Sequence, residues 1–543
     1  MPVSSSLVFP FELSVSSRLK YYIGGAIALL LLLMLFYPFG YDQAAFTVGG
    51  EMVARHGAIP YRDLLDTKPP GIFYLYAMSS MLFGHHVWSI RLLDVLITGG
   101  GLYYFYRIIK RYTSSEILAL TAIAITGLHH VVIGYWMTAQ AETFALIPSL
   151  VAFDYTLRLF EDSKPWKAGL IVGIASVILI LLKFTLATVP LAIVLFIVAT
   201  RPKGWLSFLA NLVGCSVLLL GLYFLHLSIA GGFERFVEGL KWVSAYAALD
   251  PLFSPNTIGK IFFQLFPSRL LYTFSPTFFL VLSFGIAWWV KRTNELTNTS
   301  NRFFALSLFM LILFLLAVMY ERKCFTYHYA RSLWSAGPFE AIGILLLFQY
   351  AATWYKNSFR AKGLLRKVAA VLAIGLTLFF SSFFQLLSQP LAWTASTLLG
   401  KDIPKQVQQR FPEYFAGEQE EVGNILKPKL KENDKVFFWG NDVGVYFYLD
   451  KLPTTMCLTN TPFITTWTPQ SWKDTLIAQL EANPPQYFIS ETGDAREYIS
   501  GENEDSFQQL KKFSKLNDFV SANYILDTAV GHFIIYRSLS QSK

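Results

Sequence analysis

From residue 21 to residue 387 the chain alternates long apolar stretches with short polar segments. A hydrocarbon core of about 30 Å needs roughly 20 apolar residues per helix, so this pattern predicts about eleven membrane spans. They fall at residues 21–38, 88–108, 117–134, 141–159, 168–184, 185–200, 205–229, 270–290, 303–320, 333–354 and 368–387, with the fifth and sixth parted only around Lys183. Residues 70–84, PGIFYLYAMSSMLFG, are apolar but too short to cross, and they close on Gly84-His85-His86. They predict a helix lying in the interface, its aromatics at headgroup depth. Residues 230–268 carry helical periodicity in their first half and a Pro-Asn turn after it. They predict either a second interfacial helix or a plain solvated connection.

Near residue 395 the period changes. KENDKVFFWG, PPQYFIS and NYILDTAVGHFIIYRS read as short β-strands, the last as a hairpin, whereas QSWKDTLIAQLEAN and GENEDSFQQLKKFSKL read as helices. The expected architecture is an all-α polytopic membrane domain over residues 1–390, followed by a small soluble α/β domain over residues 391–543.

Composition narrows the function classes. A chain that is 54% hydrophobic and 15% charged is too apolar for an ordinary soluble enzyme. The net charge of +9 would suit nucleic acid, but its placement argues otherwise. With a cytoplasmic N-terminus, Arg18 and Lys20, Lys110 and Arg111, Lys164 and Lys167, Arg201 and Lys203, Lys291, Arg292 and Arg302, and the basic run from Lys356 to Lys367 all fall on the inner side. That is the positive-inside signature of topology, and no nucleic-acid partner is expected. The same count puts the loop PYRDLLDTKPPG and the C-terminal domain on the outer face of the plasma (inner) membrane. The first apolar run leads into FYPFGYDQ rather than a small-residue cleavage site, so it reads as an uncleaved anchor. Cys215, Cys324 and Cys457 form neither a disulfide framework nor a metal-ligand spacing. No cofactor or metal is expected, an ion shared by Asp42 and Glu142 being the alternative.

Ionisable residues at a lipid boundary are costly, so their clustering in the outer loops and span ends is informative. These are Asp42, Arg62, Asp63, Asp66, Lys68, Glu142, Lys183, Arg269, Glu321, Arg322, Lys323, His328 and Arg331. Asp42 follows the first span, where a carboxylate reaches an acceptor hydroxyl or amine as general base; the competing role is a helix cap. Glu142 is the second candidate acid, or a carboxylate placed for a helix dipole. Lys68, fixed by Pro69-Pro70, suits a lipid phosphate, and stabilising a phosphate leaving group is electrostatic work for a cation. The alternative is an interfacial lysine that snorkels, and this alternative applies also to Lys183 and Arg269. Lys323 and His328, in ERKCFTYHYARSLW, extend the donor-phosphate set, while Arg62, Asp63 and Asp66 are candidates for positioning the acceptor.

The segments YDQAAF, GAIPYRDLLDTKPPGIFYLYA, LFGHHVWSIRLLD, AQAETFAL and YHYARSLW together resemble the bacterial relatives of protein O-mannosyltransferases and of the lipid A aminoarabinose transferase, membrane glycosyltransferases of the GT-C fold. The resemblance spans roughly residues 20–350 and is densest between Asp42 and Asp94. It implies transfer of one sugar from a polyprenyl-phosphate donor to an acceptor on the non-cytoplasmic face. It also implies Asp42 as the essential first-loop acid, Glu142 as the second acid, Lys68 at the donor phosphate and His328-Tyr329 near the donor. Two features depart from the relatives: Glu stands where many carry Asp at the second acid, and the spans are fewer. A transporter or lipid flippase, a ligase or polymerase of lipid-linked glycans, and a non-catalytic scaffold are the alternatives. The first would show repeats and charges at the bilayer midplane, which this sequence does not display.

Overall fold

The computed structural model describes residues 15–161, 164–248, 276–321, 324–360 and 382–539. Five of its helices are long and apolar enough to cross a membrane: Ser17–Phe36 with its 3-10 end, Val87–Thr113, Pro165–Leu182, Trp205–Ile229 and Asn298–Tyr320. Glu116–Val132, Leu146–Arg158, Phe184–Thr200, Pro276–Arg292 and Leu333–Arg360 occupy further expected spans. Most of the expected span at 368–387 lies outside the described residues, as does the start of the one at 270–290. The weak boundary at Lys183 is a real break: Lys183 is extended (φ −159°, ψ 129°), and a 3-10 turn, Phe184–Ala187, follows before the helix resumes at Thr188.

The chain divides into two compact units. The first comprises residues 1–37, 91–219 and 255–394 and is helical where described. Leu29, Leu96, Val217 and Leu218 are exposed on its spans, as lipid-facing positions require. Within it, Pro276–Arg292 lies against Leu333–Arg360 through reciprocal glycines. A Cβ on Gly285 would sit 1.8 Å from the carbonyl oxygen of Phe339, and one on Gly343 would sit 1.9 Å from that of Val281. Only hydrogen lets the two backbones approach so closely, the small-residue device of membrane helix pairs. Gly285→Leu is expected to cost about 3 kcal/mol or more, because the obstacle is backbone and cannot rotate away. Gly214→Ala, on an exposed helix face with nothing within 4 Å, is expected to be neutral or to stabilise by about 0.5–1 kcal/mol. Thermal unfolding of the two variants in detergent reads the contrast.

The second unit is assembled from residues 38–90, 220–254 and 395–543. Its sheet has the order β1-β2-β4-β3, with β1 at Val436–Trp439, β2 at Tyr487–Glu491, β3 at Tyr524–Val530 and β4 at Phe533–Ser538. The β1–β2 pair is parallel, while β2–β4 and the β3–β4 hairpin are antiparallel. β1 and β2 are buried along their whole length, which explains the apolar runs VFFW and YFI. Helices Gln470–Ala482, Ser506–Lys512 and Ser514–Asn523 contribute Trp472, Leu476, Leu480, Leu510 and Leu516 to one core with Phe437, Trp439 and Phe488.

The two segments expected as outer loops are built into this same unit. Leu65 N–H donates to the Met456 carbonyl at 2.9 Å, and Leu65 packs in the core. Helix Phe233–Ala248 sends Trp242 into that core, where its indole N–H donates to Thr465 Oγ1 at 3.0 Å, and Glu238 accepts from the Trp472 indole. The expected interfacial helix at 70–84 is Gly71–Phe83; it carries exposed Tyr74, Met78, Met81 and Leu82 opposite buried Ile72, Phe73 and Tyr76.

Candidate active site

Helix Tyr41–His56 starts from Gly40, whose backbone N–H is accepted by Gln43 Oε1 at 3.1 Å. Gly40 is thus the cap, and Asp42 occupies the first turn with its carboxylate largely buried. Lys68 Nζ donates to Asp42 Oδ1 at 3.3 Å and lies 4.8 Å from the centre of the Phe46 ring. Burial works against the charge on Lys68, but Asp42 and then Asp66 outweigh it and hold the ammonium above its ordinary range.

The loop that presents Lys68 organises itself. Asp66 Oδ1 accepts the Lys68 backbone N–H at 2.9 Å, and the Tyr61 hydroxyl donates to the Lys68 carbonyl at 2.8 Å. Arg62 grips Asp63 through two bonds of 2.8 and 2.6 Å, and Asp63 also accepts the Ile59 N–H at 2.9 Å. Arg62, Asp63 and Asp66, expected as substrate-positioning groups, are therefore engaged in shaping the turn that carries Lys68.

In the first unit the structure gathers a second charged cluster. Glu142 lies in the first turn of the short helix Ala141–Phe144. Lys183 Nζ is 2.5 Å from Glu142 Oε1 and 2.9 Å from Glu321 Oε2. Arg331, 2% exposed, donates to Glu142 Oε1 at 3.1 Å, to Glu321 Oε1 at 2.6 Å and to Thr185 Oγ1 at 3.2 Å. His328 Nδ1 lies 2.7 Å from Glu321 Oε2. The extended backbone at Lys183 turns its ammonium out of the helix repeat toward these acids. Burial would raise the Glu321 carboxyl, yet Lys183, His328 and Arg331 together hold it well below the usual carboxylate range. Burial, and then Lys183, push the His328 imidazole down toward its neutral form.

Glu142, Glu321 and His328 each offer a ligand atom, all within 4.8 Å of one another, a set that suits a divalent cation. Lys183 and Arg331 already balance the two carboxylates, so a metal would have to displace them. Tyr329, beside His328, is fully buried. Arg269 and Lys323 lie outside the described residues. Glu321 and Arg331 stand among the outer-loop charges of the sequence, but nothing in their spacing marks them as partners of Glu142.

A third group sits at the carboxyl ends of β1 and β2. Glu491 Oε2 accepts the backbone N–H groups of Asn441 and Asp442 at 2.7 and 3.0 Å. Asp442 Oδ2 accepts from Phe415 N–H at 2.8 Å and from Gln419 Nε2 at 3.0 Å. Burial, opposed by Arg496 and reinforced by Asp494, pushes the Asp442 carboxyl up to about 7. Burial and the neighbouring acids raise Glu491 well above the usual range.

Because the folded values exceed the unfolded ones, the stability these two groups lend is complete below about pH 4 and is lost as pH rises toward neutrality. Asp442→Asn and Glu491→Gln are each expected to flatten the fall in melting temperature between about pH 4 and 7 relative to the parent protein.

Residues 67–226 match the family described as dolichyl-phosphate-mannose-protein mannosyltransferase. The structure is similar to that of ArnT from Cupriavidus metallidurans bound to undecaprenyl phosphate, with a TM-score of 0.56, 12% identity, and 96% of this chain and 98% of that chain covered. It is also similar to ArnT from Cupriavidus metallidurans in the apo state, with a TM-score of 0.52, 13% identity, and 97% and 99% covered. No curated protein sequence matches. At such identities the likeness speaks for the fold, and the chain has the GT-C fold of ArnT joined to a mannosyltransferase-like segment over residues 67–226.

Proposed function

We propose that the protein is a multi-pass membrane glycosyltransferase that moves one sugar from a polyprenyl-phosphate donor to an acceptor on the non-cytoplasmic face. The observation that carries this reading is the Asp42–Lys68 contact at the mouth of the first loop. It pairs a proton acceptor with a cation that suits a phosphate. In the resting protein the two groups bind each other. A donor phosphate competes for Lys68 and thereby releases the Asp42 carboxylate.

The acceptor O–H or N–H then attacks the anomeric carbon and its proton passes to Asp42. The bond from that carbon to the phosphate oxygen breaks, its electron pair leaving with polyprenyl phosphate, whose charge Lys68 stabilises. Glu142, the second acid implied by the resemblance, is held by two cations, and its proposed role is to fix Lys183 and Arg331 rather than to take up a proton. No nucleotide enters this scheme, because the sugar arrives already activated on its lipid.

The match to the mannosyltransferase family and the ArnT fold support the class of reaction. The basic inner segments support the orientation, with the N-terminus cytoplasmic and residues 391–543 outside. The test is to incubate purified protein with a panel of polyprenyl-phosphate sugars and membrane extract as acceptor. Transfer of label from at least one lipid, with polyprenyl phosphate released, is expected. Transfer from nucleotide sugars alone would overturn the proposal.

A further inference from the structure

Within the first unit, three helix ends meet around a cavity of about 310 Å³. Arg111 stands in the last turn of Val87–Thr113, Arg158 closes Leu146–Arg158 with Tyr155 and Glu161 beside it, and Lys164 and Lys167 open Pro165–Leu182; all six line the cavity. Four cations therefore surround one lining carboxylate. Both guanidiniums are held in place. Arg111 spends Nε and Nη2 on Glu161 Oε2, the first bond at 3.1 Å. Arg158 spends the same two atoms on Asp154 Oδ2, at 3.0 and 2.6 Å, and lies 4.7 Å from the centre of the Tyr155 ring. Lys164 and Lys167 are exposed, and neither forms an ion pair among the described residues.

Topology alone accounts for basic residues on this side of the bundle, but not for four of them around one cavity with two guanidiniums already fixed. Glu161 and Asp154 offset the two arginines, which leaves the two lysine charges in excess. A concave wall backed by apolar helices focuses the field of such charges and draws in a counter-ion. The start of Pro165–Leu182 adds to the same sign: its N-cap, Lys164, makes no side-chain cap, and no acid stands in the first turn. The positive end of that helix faces cations, where a carboxylate or hydroxyl is the usual neighbour. Depth identifies the anion. Trp166, between the two lysines, is half-exposed, as a ring at headgroup level is. The orientation proposed above puts these helix ends at the cytoplasmic leaflet, which holds acidic phospholipids, and basic pockets between spans on that side take phosphate headgroups.

We propose that this cavity binds the headgroup of an acidic phospholipid of the inner leaflet, with Lys164 and Lys167 capturing the phosphate as point charges and Arg111 and Arg158 as fixed donors in its wall. The site shares no residue with the Asp42–Lys68 pair or with the Glu142 cluster. It takes from the glycosyltransferase reading only the orientation, which names the leaflet, and no sugar chemistry enters it.

The test uses the full chain in detergent micelles and reads bound lipid by native mass spectrometry, with phosphatidylglycerol and phosphatidylcholine of the same acyl chains added together. The parent protein is expected to retain phosphatidylglycerol about ten-fold or more over phosphatidylcholine. Lys164→Gln combined with Lys167→Gln is expected to remove most of that preference, and Lys164→Arg combined with Lys167→Arg to keep it. Arg18→Gln combined with Lys291→Gln takes the same charge from exposed residues that do not line the cavity, and is expected to leave the preference unchanged. Excess inorganic phosphate at constant ionic strength is expected to leave the lipid in place; its displacement would mark a site for soluble anions and overturn the lipid assignment. The inference also falls if the parent protein retains both lipids equally, or if the two double Gln variants lose the preference alike, which reduces it to surface charge. Sugar transfer is read in none of these arms, so failure here leaves the glycosyltransferase reading standing.

Discussion

Asp42→Asn is expected to lower sugar transfer by about 10²–10⁴-fold while the protein still folds and binds its donor. The amide keeps the size of the carboxylate and an oxygen toward Lys68, so the first turn of Tyr41–His56 and the Phe46 contact survive. What it loses is the capacity to accept the acceptor's proton. Lys68→Ala is expected to be comparably damaging for a different reason: the leaving phosphate is deprived of its cation, so donor affinity and turnover fall together. Steady-state transfer and donor binding, measured side by side, separate the two. Asp42→Asn lowers kcat without weakening donor binding, which tightens if anything because the amide competes less for Lys68, whereas Lys68→Ala lowers both kcat and donor affinity. Parent-like transfer by both variants would refute the assignment of the site.

The second large effect concerns stability. Arg331→Met is expected to destabilise the first unit by about 3–5 kcal/mol, because it takes a fully buried cation from both Glu142 and Glu321 and leaves Lys183, with His328 at Glu321, to balance two buried carboxylates. Lys183→Met removes a more accessible cation and is expected to cost less. Combining Arg331→Met with Glu321→Gln should recover part of the loss, since the orphaned charge is then gone. Thermal unfolding in detergent of the parent protein, Arg331→Met, Glu321→Gln and the double variant measures the coupling. This cluster also reverses the pH response of the C-terminal domain. A carboxyl held low, as Glu321 is, stabilises above the ordinary carboxylate range and gives up that stability as the medium is acidified through its depressed pKa.

Much of the architecture was legible from periodicity. VFFW and the YFI of YFISE are continuous apolar runs because β1 and β2 are buried on both sides, FIIYRS alternates buried and half-buried positions, and the hairpin turns at Gly531 with φ 53°. The break at Lys183 was visible as two runs too short to separate cleanly. Asp42, Lys68 and Glu142 stood out because charge at a membrane boundary is expensive, and the family resemblance gave them roles. The partners were another matter. Leu65 pairs with Met456, and Arg331 reaches Glu142, over separations that no local pattern encodes. Arg62 and Asp63 looked like free chemistry and are bonded to each other, since neighbouring opposite charges in a tight turn satisfy one another first.

The three-piece build of the second unit has a consequence for biogenesis. Leu65 finds its backbone partner only after Met456 has been synthesised, so the strap bearing Lys68 must wait, unmated, while hundreds of later residues are made. A nascent chain halted before that point would hold its helices in the membrane with the first loop still unanchored, and competence for catalysis would arrive in one late step rather than grow span by span.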